Sequence, residues 1–209
     1  MSIILTAVGV ASGLAVGRWL QRRRQVGQPA RPNVVADAAV PRPETTDWDR
    51  FTCRLGDVVV HPDGAEAWLA GALVFLEDAP AAVLFVAPEA KADRAVFLRT
   101  KPSTELLWLA PVDVEVFKAS AVEPPTAVEL YGEAYERVRR LPMRVRREGE
   151  GAPDLGETAI VAEYKSVRSE EKRMISVSGG GHARAWSGTR IDVSACDVLP
   201  GGGGRPDGA

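Results

Sequence analysis

The chain is poor in the residues that build metal centres and cross-links. Its 209 residues include two cysteines, Cys53 and Cys196, and two histidines, His61 and His182. Two lone cysteines exclude a disulfide framework and a cysteine-rich zinc site, and two histidines give little basis for a multi-histidine centre. No metal or cofactor is therefore expected. Aromatic residues make up 6% of the chain, and neither sign of charge dominates: 26 Lys and Arg stand against 28 Asp and Glu, a formal net charge of -2. That balance excludes a generally basic nucleic-acid binder. The length fits one soluble domain with appendages rather than two full domains.

Long uncharged runs are scarce too, and the one at the N-terminus stands out. Residues 2–17 carry no charge, and Arg18, Trp19, Arg22, Arg23 and Arg24 follow. A spanning helix needs about 20 apolar residues, with about 17 as a lower limit. Arg18 can snorkel and Trp19 suits the interface, which extends this short segment. Residues 1–24 thus read as a hydrophobic helix anchored in the membrane through residues 2–20, with a basic flank. The positive-inside rule places the N-terminus outside and the rest in the cytoplasm, a single-pass arrangement in the cell inner membrane. A secretory signal would carry its positive charge on the other side of the apolar stretch; it and a peripheral helix are the alternatives. Gly9, Gly13 and Gly17 recur every four residues, so they line one helix face and allow homo-oligomer formation through the anchor. Equally, small residues are simply common in membrane helices.

The neutral average therefore conceals unlike parts. Four anchor arginines are offset by residues 25–209, which carry 22 basic and 28 acidic side chains, a net of -6. Residues 25–50 read as a Pro-rich linker with Pro29, Pro32, Pro41 and Pro43 and no periodic apolar pattern. Residues 201–209 read as a disordered Gly-rich tail.

Residues 51–200 carry short strand signals separated by turn residues. Val58–Val60 precedes the turn His61-Pro62-Asp63-Gly64. A long strand is expected over Ala67–Leu76, then Ala82–Val86, Ala95–Arg99 and Leu106–Ala110. Val112, Val114 and Val116 alternate with acidic residues, a period of two. Tyr135–Leu141, Met143–Arg147, Thr158–Tyr164, Met174–Ser178, Ala183–Ser187 and Ile191–Ser194 complete the set. The spacing predicts an all-β domain of short antiparallel strands, barrel- or sandwich-like. Gly64 before Ala67-Trp68 parallels Gly132 before Ala134-Tyr135, which would suit two related β-modules; β-proteins also share such patterns without duplication.

Arg137, Arg139, Arg140, Arg144, Arg146 and Arg147 place six arginines in eleven positions. Alternation predicts a basic ribbon opposite Val138 and Val145, suited to anionic lipid or an acidic partner. The alternative is a solvated hairpin neutralised by Glu136, Glu148 and Glu150. Ser176-Val177-Ser178-Gly179-Gly180-Gly181-His182 lacks the ending of a phosphate-binding loop and reads as a Gly-rich turn. His61 reads as a surface residue, the cysteines as small buried or half-buried side chains, and Trp68, Trp108 and Trp186 as core. No nucleophile, base and orienting group are legible together, so no catalysis is predicted.

Leu55-Gly56-Asp57-Val58-Val59, Trp68-Leu69-Ala70-Gly71, Leu73-Val74-Phe75, Trp108-Leu109, Gly132 with Tyr135, Glu148-Gly149-Glu150, Glu163-Tyr164, and Trp186 with Gly188 and Ile191 form a series of landmarks. Through them the region from Phe51 to Leu199 resembles the bacterial domain-of-unknown-function 4178 family. The stretch Ala81–Val86 departs from that pattern. The resemblance implies an all-β domain without known catalytic residues, often joined to a membrane helix and associated with envelope maintenance. A phage-shock-protein-A-like coat protein is the partner it implies. The expected function is a membrane-tethered cytoplasmic binding or scaffold module. An enzyme or small-ligand-binding barrel, and an exported envelope protein of opposite topology, are the alternatives.

Overall fold

In the computed structural model, residues 48–88, 93–100, 103–113 and 123–201 are described. The expected anchor with Gly9, Gly13, Gly17, Arg18, Trp19, Arg22, Arg23 and Arg24, most of the linker, and the tail beyond Gly201 lie outside the described residues.

The expectation of an all-β domain holds. Twelve strands occur among the described residues: β1 Val58–Val60, β2 Glu66–Trp68, β3 Gly71–Leu76, β4 Pro80–Ala87, β5 Arg94–Arg99, β6 Glu105–Val112, β7 Ala127–Leu130, β8 Glu133–Gly149, β9 Thr158–Ser166, β10 Lys172–Gly179, β11 His182–Ile191 and β12 Asp197–Leu199. Nine of them form one sheet in the order β3-β4-β5-β6-β11-β10-β9-β8-β7, and a further β3–β8 pairing closes eight into an antiparallel barrel. β7 extends it beside the first part of β8. A small sheet, β12-β1-β2, is separate in its pairing.

Closure explains the apolar pattern. Phe75, Leu84, Phe97, Leu109, Ile175 and Trp186 fill the lumen with others of one cluster. Val74, Phe85, Val96, Leu98, Leu106 and Trp108 point the other way, into a second cluster with Val59, Ala67 and Leu69 of the small-sheet region. Strands β3 to β6 are thus buried on both faces, and continuous apolar runs such as Leu106–Leu109 replace period-two alternation. A third cluster joins Leu130, Tyr135, Ala162, Tyr164 and Met174.

Several sequence expectations are corrected. The strand over Ala67–Leu76 divides at Leu69 and Ala70, because Leu69 N–H donates to Asp57 at 2.9 Å while Ala70 N–H donates to Val86 at 3.1 Å. Tyr135–Leu141 and Met143–Arg147 are one strand, not a hairpin. It runs through Pro142, which pairs with Ile160 of β9 where no strand pairs with β8's other edge. A residue without an N–H is tolerated there. Ile191 ends β11, and Val193–Ala195 form a 3-10 turn in which the Asp192 side chain accepts from Ser194 N–H at 2.9 Å. The two halves do not make two modules: β2 spans 3 residues of the small sheet, β8 spans 17 of the barrel, and strands from both halves close one ring.

The β7–β8 hairpin turns on Tyr131 and Gly132, with φ of 52° and 76°. Such a two-residue turn needs positive φ at both positions, which favours Asn or Gly. Tyr131 carries a Cβ there and is largely exposed, so Tyr131→Gly should raise stability by about 1 kcal/mol. An unchanged or lower midpoint in urea denaturation would show that the exposed ring makes stabilising contacts instead.

Candidate binding surfaces

The lumen has two ends, and each is closed differently. At the first, Arg99 ends β5, Glu105 begins β6, Glu163 lies near the end of β9 and Arg173 near the start of β10. Arg99 and Glu105 are register partners across the β5–β6 hairpin. The Arg99 guanidinium donates to Glu105 and, at 2.7 Å, to Glu163. Arg173 Nε stands 3.7 Å from Glu105. Arg99 and Glu163 side chains are 13% and 10% exposed, so this is a desolvated cluster rather than a surface pair. Burial pushes the Glu163 carboxyl above its usual range, against the pull of Arg99 and Arg139. The Arg99 Nε is buried without a hydrogen-bond partner. Sequence reading missed this cluster because its members are up to 74 positions apart (Arg99 to Arg173) and only strand register joins them. It supplies fixed charge and no nucleophile.

At the second end, the connection from Glu150 to Glu157 folds inward, placing Ala152 and Leu155 in the lumen cluster. The approach is close: a Cβ on Gly71 would lie 2.2 Å from the Glu150 carbonyl oxygen, so only glycine fits. Beside this cover a cleft of about 390 Å³ remains, with Trp186, Arg184, Arg94 and Asp93 among its lining residues.

The six arginines of β8 do not form one ribbon. A bulge falls between Arg137, opposite Tyr164, and Arg139, opposite Glu163. An inserted residue reverses facing, so Arg137 lies on the face of the Tyr164 cluster and Arg139 on that of the buried carboxylate. Val138, at the bulge, is exposed. Arg137 and Arg140 share Glu123, at 3.0 and 2.8 Å, which holds the Glu123 carboxyl below its usual range. Arg146 pairs with Glu148 at 2.9 Å, and Arg144 donates to the Glu77 carbonyl at 3.0 Å. Arg140, Arg144 and Arg147 are the exposed members. Glu148 is the one expected acidic neighbour that is bonded to an arginine here; Glu123 was not anticipated.

The other residues that drew attention in the sequence are accounted for individually. Gly180 and Gly181, both with positive φ, make the two-residue β10–β11 turn, as the sequence suggested. Ser176 and Ser178 are buried and His182 is exposed, which makes no nucleophile–base pair. His61 is partly buried, its ring 5.1 Å from that of Trp108, and its Nδ1 accepts from Asp63 N–H at 3.2 Å. Trp108 and Trp186 are core, but Trp68 is 54% exposed. Trp68, Val58 and Leu199 stand side by side across the small sheet, on the face opposite Ala67, Val59 and Val198. Cys53 and Cys196 are free, and burial, with Asp57 and Cys196 nearby, pushes the Cys53 thiol up to about 12. At neutral pH it is an unreactive thiol. Among the described residues no His, Cys, Asp and Glu group could hold a metal ion.

Comparison with protein-family models, curated proteins and solved structures finds no match.

Proposed function

We propose that the protein is a binding or scaffold module tethered to the inner face of the cell inner membrane by residues 1–24, acting by recruitment rather than catalysis. The observation that carries this reading is the filled lumen. Phe75, Phe97, Leu109 and Ile175 are at most 1% exposed, and both ends are stopped, by an ionic cluster and by Ala152 with Leu155. A lumen packed with side chains among the described residues favours the rims and outer faces as the places where binding occurs. This disfavours the alternative of an enzyme or ligand-binding barrel that uses its interior. The exposed arginines on the outward face of β8, Arg140 and Arg144, suit an acidic partner or anionic headgroups. The family resemblance makes a phage-shock-protein-A-like coat protein the first partner to test. A tether at the membrane raises the local concentration of such a partner without new contacts.

The test is co-sedimentation of the purified coat protein with the full chain in vesicles, wild type against Arg140→Glu/Arg144→Glu. Each basic residue near a membrane or acidic surface contributes about 1 kcal/mol, so recovery should fall at least roughly tenfold. Equal recovery by both chains would overturn the assignment of this surface. Alkaline phosphatase activity from a reporter fused after Ala209 would overturn the cytoplasmic orientation in favour of export.

A further inference from the structure

The cleft beside Trp186 has the chemistry of a site for one kind of ligand. Trp186 lies in the lumen cluster and is 5% exposed, so its indole forms a fixed apolar floor. Pro88, Pro111 and Pro153 stand among the walls and offer no N–H donors. Their rings are rigid, so the walls exist before a ligand arrives. Gly151, with φ of 80°, turns the cover at the rim. A Cβ there would come 3.8 Å from Pro88 Cγ and 3.9 Å from Val86 Cγ2, so glycine leaves that space open. Arg184 lies two residues before Trp186 on β11, is exposed, and makes no hydrogen bond or ion pair among the described residues. Arg94 opens β5 at the same rim, with Asp93 beside it.

We infer that this cleft binds a carboxylate carried on a compact apolar or aromatic group. Among the described lining residues two guanidiniums stand against one carboxylate, which suits a monoanion; a phosphate dianion would meet Asp93. A planar guanidinium takes a carboxylate through two parallel N–H donors, and an aromatic ring packs on an indole in offset or edge-to-face geometry. The volume of about 390 Å³ lies within the range of small-ligand pockets. Either a free aromatic acid or the C-terminus of a chain ending in an apolar residue presents this chemistry. The inference deepens the reading of the protein as a binding module, yet it can fail alone, because its variant leaves the β8 arginines unchanged.

The experiment uses the full chain in zwitterionic nanodiscs and follows ligand signals by saturation-transfer NMR. The probes are 3-phenylpropionate, its uncharged amide, and a pentapeptide ending in phenylalanine with a free or amidated C-terminus. Saturable transfer to the acid is expected, at least tenfold weaker for the amide and for Arg184→Gln, whose exposed position spares the fold. Competition by the free but not the amidated peptide assigns the source to a chain terminus; binding of the small acid alone assigns it to a metabolite-sized acid. The inference is overturned if no saturable signal appears at millimolar probe, if acid and amide bind alike, or if Arg184→Gln binds as the wild type does.

Discussion

Replacing Arg99 by Met is expected to destabilise the protein by about 3–5 kcal/mol at neutral pH, the cost of leaving buried charge uncompensated. Arg99 is the hub of the ionic cluster: it donates to both Glu105 and Glu163, and all three side chains are nearly buried. Without it two carboxylates face each other at the barrel end, with Arg173 at 3.7 Å as the nearest cation to Glu105. The pH dependence has a definite sign. The Glu163 carboxyl is already raised in the folded protein, by burial first. A raised acid contributes stability that is fully present below its unfolded value and is lost as pH rises through its folded value. Removing Arg99 takes away the largest opposing pull, so the folded value rises further and the penalty is greatest at neutral pH. It should shrink on acidification toward about pH 4, as the raised Glu163 carboxyl becomes neutral. Guanidinium denaturation of wild type and variant at the two pH values reads this directly. Equal stability at neutral pH would refute the role of Arg99 as the stopper of that end. Adding Glu105→Gln and Glu163→Gln should recover much of the loss, since uncharged neighbours no longer need a counter-charge.

Phe97→Ala should cost about 3–5 kcal/mol by emptying the lumen. Phe97 is 1% exposed, and its ring centroid lies 6.5 Å from that of Phe75, tilted by 50°. Strands on every side hold the wall, so the space cannot collapse freely and the transfer loss is joined by a cavity loss. A hole bordered by Phe75, Leu84 and Leu107 offers water no partner and should stay dry. Benzene should then bind the variant and raise its unfolding midpoint with concentration, as mass action requires, while leaving the wild type unchanged. A small loss of stability with no response to benzene would mean that the barrel closes around the deletion, and would weaken the case that a rigid filled lumen forces binding onto the outside.

Much of the strand inventory was legible in the sequence, because apolar runs and turn chemistry are local. Val58–Val60, Ala82–Val86, Ala95–Arg99, Thr158–Tyr164 and Met174–Ser178 lie within observed strands, and the Gly180-Gly181 turn falls where three glycines suggested it. β7 and β12 escaped notice because strands of four and three residues are too short to give a periodic signal. Trp68 was misjudged for a related reason. A tryptophan in an apolar stretch resembles core, and only the division at Leu69–Ala70 puts it on the outer face of the small sheet. The arginine ribbon failed at one residue: alternation assumes an unbroken pleat, and the bulge at Val138 sends Arg137 and Arg139 to opposite faces.

The sequence by itself determined the class of the domain, the scarcity of cysteine and histidine, and the position in the chain of every arginine that the outer surfaces use. These follow from composition, short apolar runs and turn residues, which each segment carries alone. Only the tertiary structure decided that the strands close a ring, that Arg99, Glu105, Glu163 and Arg173 meet, and that Arg184 and Trp186 line one cleft with three prolines. Those outcomes depend on register between segments far apart in the chain. Register is fixed by the joint burial of lumen and outer faces once the barrel closes, a condition that no single segment contains.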